Sequence, residues 1–123
     1  MLKIQCITID SEDLQLVSNF WSEVLGWRIT HTSEDEVVIE PPIGSPLENI
    51  APDLLFIKVP NGKKTKNRMH FDLRPDDQLT EVARVEHLGA TKVDIGQGDE
   101  VPWIVMSDPE GNEFCILRKS YQA

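Results

Sequence analysis

Four side chains in this 123-residue sequence carry most of its chemical potential: Cys6, His70, Asp72 and Cys115. His70 and Asp72 stand two apart in "RMHFDL" (68–73), where strand alternation puts both on the face opposite Met69, Phe71 and Leu73. A carboxylate in that place can orient an imidazole. The histidine is then available for ligand hydrogen bonding or general acid–base work. The ordinary alternative is a histidine satisfied by polar neighbours. Cys115 lies in "SDPEGNEFCIL" (107–117), flanked by Phe114 and Ile116. It reads as a small apolar core residue, a metal ligand or a reactive thiol. A nucleophilic cysteine needs a histidine or positive partner, and His70 is the candidate. Cys6, His70 and Cys115 together offer two sulfurs and one nitrogen, a set zinc accepts with water as fourth ligand. Iron, nickel or manganese prefer carboxylate and imidazole donors, of which that set has one.

Other residues qualify as binding groups. Phe56 and Trp103 are the aromatics expected to line a pocket, Trp103 by stacking on a flat ligand. The segment "KKTKNR" (63–68) is a basic island in an acidic chain. It reads either as a solvated connector or as a lure for an anionic ligand group through Lys66, Asn67 or Arg68. Trp21 and Trp27 read as core, and His31 and His87 as exposed residues without a role.

The elements that must position these groups follow from periodicity. "KIQCITI" (3–9) alternates as a strand. Asp10 or Ser11 is expected to cap a helix with Glu12 and Asp13 in its first turn. Its apolar stripe is Leu14, Val17, Phe20, Trp21, Val24 and Leu25, and Gly26 ends it. Strands are expected at 27–32, 36–40 and 53–59, with a loop over "PPIGSPLENIAP" that holds four of the eight prolines. The second half repeats the order. Strand 68–73 leads to a helix begun by Pro75, Asp76 and Asp77, with the stripe Leu79, Val82, Val85 and Leu88, and ended by Gly89. "ATKVDI", "PWIVM" and "EFCIL" follow as strands. Asp108, Pro109 and Gly111 suit a type I turn before the last strand. The whole is one α+β domain, 1–123, of two βαβββ modules, 1–60 and 67–120. Each helix covers one sheet face, and the two open faces are expected to curl into a cup-shaped, partly open β-barrel with the helices outside.

Composition limits function. A formal net charge of -9 disfavours nucleic acid as a partner. No apolar run approaches the roughly 20 residues that span a bilayer, and "MLKIQCITID" lacks a signal peptide's apolar core. A cytoplasmic location is expected, and with it two reduced cysteines.

"NFWSEVLGW" (19–27) resembles the first-helix signature of the vicinal oxygen chelate superfamily of glyoxalase I, bleomycin-resistance proteins and extradiol dioxygenases. "NRMHFDLRPDD" (67–77) is similar to the start of its second module, and "VPWIVMSDPEGNEFCIL" (101–117) to its closing strands. The resemblance implies metal ligands at four strand positions, which here hold Cys6, a residue near Ile57, His70 and Cys115. Only His70 is the residue type the superfamily uses. The chain is therefore expected to lack the usual metal set, with a Cys6, His70 and Cys115 zinc as the alternative. The pattern is most similar to a glyoxalase-like subgroup. The implied function is binding of a small molecule through His70, Asp72, Phe56, Trp103, Arg68 and Cys115, for resistance, sequestration or a metabolic step. A lyase or isomerase using His70 is the second reading, and an interaction domain the third. A homodimer is compatible with either cup-building mode of the superfamily.

Overall fold

The computed structural model describes residues 1, 3–65, 67, 69–94 and 101–119. These fall into two compact units, Met1–Gly62 and Lys63–Ala123. No helix among the described residues is long and apolar enough to cross a membrane.

In the first unit, β1 (Cys6–Ser11) leads to α1 (Leu14–Leu25), then β2 (Arg28–Thr32), β3 (Glu36–Glu40) and β4 (Asp53–Lys58). The sheet order is β1-β4-β3-β2, with β1 parallel to β4 and the other pairs antiparallel. Ile7, Ile9, Leu54, Phe56, Val37 and Ile39 are brought onto one face by the register. Helix α1 packs against β3 and β4 and buries Leu14, Val17, Phe20, Trp21 and Val24, the predicted stripe except for Leu25, which is half-buried. Phe20 and Trp21 meet edge to face, with ring centroids 5.1 Å apart.

The start of α1 differs from expectation. Its cap is Asp13, whose side chain accepts from the Leu16 amide at 3.1 Å. Asp10 and Ser11 are unavailable because β1 runs on through them, paired with Ile57 and Lys58. Gly26 ends the helix at φ 68°, a conformation costly for residues with a Cβ.

The second unit has β5 (Phe71–Leu73), α2 (Gln78–His87), β6 (Thr91–Lys92), β7 (Trp103–Ser107) and β8 (Glu113–Leu117). Its order, β5-β8-β7-β6 with β5 parallel to β8, reproduces that of the first unit. Two open four-stranded sheets, each with its own helix, thus confirm the α+β class and the repeat. Asp77 caps α2 by accepting from the amide and hydroxyl of Thr80, which hold its carboxyl below the ordinary value of 3.8.

Three expectations for this unit need correction. The first strand is three residues long, and Met69, expected within it on the face of Phe71 and Leu73, precedes it and is 75% exposed. The helix stripe is shorter too: Val82 and Val85 are buried, but Leu79, in the first turn, is 71% exposed. Of "ATKVDI", only Thr91 and Lys92 form a strand, and Ile95 lies outside the described residues.

The turn before β8 is built on a buried carboxylate. Asp108, 4% exposed, accepts at Oδ1 from the amides of Glu110 at 2.9 Å and Asn112 at 3.0 Å. Its carbonyl accepts from Gly111, which adopts φ 87°. Each of these bonds satisfies a donor that the tight reversal would otherwise strand. Replacing Asp108 by Ala removes the charged acceptor of two part-buried amides, and chemical denaturation should show a loss of about 2–3 kcal/mol. Asp108→Asn should lose less, because one acceptor oxygen is kept.

Candidate functional site

The second unit gathers chemistry on one face of its sheet. Register pairs Asp72 with Cys115 and Cys115 with Val105, so these three stand in a row across β5, β8 and β7. Trp103 and Leu117 form the next antiparallel pair of the same orientation, two residues along β7 and β8. The opposite face carries Phe71, Phe114 and Met106, then Leu73, Ile116 and Ile104. Helix α2 packs against β8. Gln78 on that helix donates its amide to the carbonyl of Ile116 at 3.0 Å, tying helix to strand.

His70 immediately precedes β5 rather than lying within it, yet it reaches the Asp72 side. Its Nε2 lies 3.1 Å from Asp72 Oδ1. The two side chains are 51% and 49% exposed, while Cys115 beneath is 8% exposed. A donor atom from each of His70, Asp72 and Cys115 falls within 4.8 Å of the other two. The expected pairing of His70 with Asp72 is therefore present. With Nε2 donating to the carboxylate, a neutral imidazole keeps Nδ1 as an acceptor. The arrangement can hydrogen-bond a ligand, move a proton, or supply nitrogen, oxygen and sulfur donors to a cation.

Asn67 ties the segment before His70 to the start of β8, a role its sequence context did not reveal. Its Nδ2 donates to the Met69 carbonyl at 3.0 Å, and its Oδ1 accepts from the Glu113 amide at 3.3 Å. The amide side chain spans from the approach to β5 to the start of β8, doing what the missing first residues of the strand would have done. Only the closeness of Asn67 to His70 hinted at this, since the partner lies 46 positions away.

Other predicted residues fall elsewhere. Phe56 is fully buried in the first unit, on the face shared with Leu54, Val37 and Ile39, where it takes part in that unit's core. Trp103 is half-buried on the same face as Cys115. Arg68 and Lys66 lie outside the described residues. Cys6 belongs to β1 of the first unit, is exposed, and sits 4.0 Å from the Thr8 hydroxyl. Neither cysteine is in a disulfide. The His70, Asp72 and Cys115 cluster is thus made by one unit, with Asp72 where the expected zinc set had Cys6.

The four-position metal set implied by resemblance does not fit these residues. Cys6 and Ile57 do share a sheet face, through the register Cys6 with Asp53 and Asp10 with Ile57. Ile57, however, offers no donor atom, and Cys6 is a thiol where the superfamily has imidazole. A different concavity, about 560 Å³, lies in the first unit around the start of α1. Glu12, Asp13 and Glu34 line it with Ser33 and Lys58, without histidine or cysteine.

Residues 6–117 match the family described as glyoxalase-like domain. No match is found among curated proteins. Among solved structures, a glyoxalase/bleomycin resistance protein/dioxygenase family enzyme from Burkholderia phytofirmans superposes with a TM-score of 0.70 at 17% identity, covering 95% of this chain and 98% of its own. The fosfomycin resistance protein FosX from Mesorhizobium loti gives 0.68 at 15% identity, covering 98% and 94%. The glyoxalase I of Leishmania major, described as trypanothione-dependent, gives 0.65 at 17% identity, covering 97% and 88%. At these identities the likeness is one of fold.

The Asn67 clamp predicts a local effect. In Asn67→Ala, amide hydrogen exchange at Glu113 should quicken about fivefold or more, the equivalent of one lost hydrogen bond. Asn67→Asp keeps the acceptor and should stay near the parent rate. Unchanged exchange in the alanine variant would show that the clamp does not hold this edge.

Proposed function

We propose, from the premise that the chain belongs to the glyoxalase-like domain family, that it is a small-molecule-binding protein. Its working surface is the face of the second unit that carries His70, Asp72, Cys115 and Trp103. The observation that carries this reading is the His70–Asp72 pair, 3.1 Å apart and half exposed above a buried thiol. A histidine serving only the core would be covered. This one is paired through Nε2 with its carboxylate, and Nδ1 can accept from a ligand.

The chemistry of the face defines what it accepts. His70 Nδ1 takes a hydroxyl or N–H donor from the ligand. Trp103 supplies flat apolar area, and Cys115 and Val105 give an apolar floor between them. The ligand is therefore a small organic molecule with a polar group next to an apolar or planar part. The function needs no step through the superfamily's metal set, whose residues are not all present. Binding of this kind serves sequestration or resistance.

A second reading uses the same pair for catalysis. An imidazole oriented by Asp72 is equipped to take a proton from a bound substrate and return it elsewhere, as a lyase or isomerase requires. The two readings share the site and part only in whether the bound molecule leaves changed.

A thermal-shift screen of small organic compounds, run with chelator present, tests the proposal. A compound at about 100 times its dissociation constant adds about 2.7 kcal/mol of stability, a rise in Tm on the order of 10 °C. The rise should vanish in His70→Ala, whose own Tm should stay near the parent because the side chain is half exposed. Hits that persist undiminished in His70→Ala would place the binding surface elsewhere. Turnover of a hit that disappears in the same variant would select the catalytic reading.

A further inference from the structure

We infer that Cys115 is a nucleophile toward conjugated carbonyl compounds, with His70 as its base and Asp72 as the group that positions the base. The nucleophile lies on the face proposed above for binding, and its role rests on that reading. A working thiol needs a base to take its proton and a third group to orient the base. Here the three converge: the Cys115 sulfur, a ring nitrogen of His70 and a carboxylate oxygen of Asp72 lie within 4.8 Å of one another. Base and orienting group are already in contact, Nε2 to Oδ1 at 3.1 Å. Register holds thiol and carboxylate side by side on adjacent parallel strands. The remaining gap from thiol to ring is within the span of one bridging water, which general-base transfer tolerates.

The histidine decides whether this thiol is reactive. A carboxylate beside a thiol opposes formation of the thiolate, the attacking species. An imidazole that takes the proton reverses this. The thiolate and Asp72 then share one imidazolium, and the cluster's net charge is unchanged.

The surroundings select the electrophile. Cys115 is 8% exposed, so a slim reactive atom is needed to reach it. Trp103 and Val105 on the same face suit a flat, apolar body. A conjugated enone or imide is flat, ends in a slim β-carbon and carries an oxygen that the imidazolium can serve with a hydrogen bond. The step is a conjugate addition. The thiol proton passes to His70 Nδ1, directly or through one water, while Nε2–H stays on Asp72. Sulfur forms the S–C bond at the β-carbon as the C=C π pair shifts toward the carbonyl, giving an enolate. The proton then moves from Nδ1 to the α-carbon, and the imidazole is neutral again. One S–C and one C–H bond form, one S–H and one C=C π bond break, and no co-reactant is consumed. The product is a compound held covalently, a form of sequestration.

Cys6 is the control within the same chain. It is exposed, sits 4.0 Å from the Thr8 hydroxyl and is outside the cluster. Exposure alone would make Cys6 the faster thiol, whereas activation makes it Cys115. The full chain is treated with N-ethylmaleimide, and each thiol is followed by peptide mass mapping. Cys115 should react at least about tenfold faster than Cys6. His70→Ala should slow Cys115 about a hundredfold, the scale of general-base catalysis, and leave Cys6 unchanged. Added imidazole should restore Cys115 in that variant, which a merely structural role of His70 would not allow. Asp72→Asn should slow Cys115 at least about tenfold, and Asp72→Glu should recover part of the rate. Misfolding would uncover Cys115 and raise its rate, so a fall is not a folding artefact. Cys115 reacting no faster than Cys6, or equally fast in His70→Ala, would overturn the inference. The thermal-shift screen with non-electrophilic compounds reads the binding proposal separately, so either can fail alone.

Discussion

Parallel strands cannot be joined by a tight turn, so their pairing demands a crossover long enough to climb over the sheet and return. Both units meet this demand in the same way, closing first strand against last: β1 on β4 and β5 on β8. The helix that follows each first strand is the cover the pairing needs. Everything at the candidate site depends on the second of these pairings. It sets Asp72 beside Cys115, two residues 43 positions apart in the sequence, and the β7–β8 hairpin then aligns Val105 and Trp103 on the same face. A slip of one residue would exchange the two faces, putting Cys115 where Phe114 now stands between Phe71 and Met106. The register is therefore fixed by burial: Phe114, Ile116 and Met106 are each at most 2% exposed.

The two units share a topology and divide in chemistry. On the corresponding face of the first unit, the register places Cys6, Thr8 and Asp10 alongside Asp53, Leu55 and Ile57. That face has a thiol and carboxylates, and its imidazole, His31, stands on β2 at the opposite end of the sheet from Cys6, beside Glu36 at 3.4 Å. The second has the only histidine next to a first strand, paired with Asp72. One fold repeated within one chain thus carries two different surfaces, in line with the rule that function resides in sites rather than folds. A fosfomycin resistance protein and a glyoxalase I share this architecture with the chain at 15% and 17% identity respectively, a likeness of fold alone.

Much of this was legible in the sequence because physics wrote it locally. The α1 stripe, Gly26, the Asp108 turn and the repeated order are each read from spacing and turn chemistry, and each is present. The pairing of His70 with Asp72 was readable from their separation by two. What escaped depends on partners remote in sequence. "DLLFIKV" is apolar on both faces, so alternation could not say that Phe56 faces the helix. Leu79 fits the period of α2, but its place in the first turn carries it past the sheet. Asp13 caps α1 because β4 claims Asp10 and Ser11, a pairing no local pattern reveals. The meeting of Asp72 with Cys115, and the substitution of Asp72 for Cys6 in the donor set, followed only once β5 was set against β8.

The central claim is that the second unit's face around His70, Asp72 and Cys115 is where this protein meets its ligand. Amide chemical-shift mapping with a compound that raises the Tm tests it most directly. The account predicts that the largest shifts fall on Asp72, Val105 and Cys115 and on the indole N–H of Trp103. Largest shifts around Glu12, Asp13, Glu34 and Lys58, at the concavity of the first unit, would contradict it.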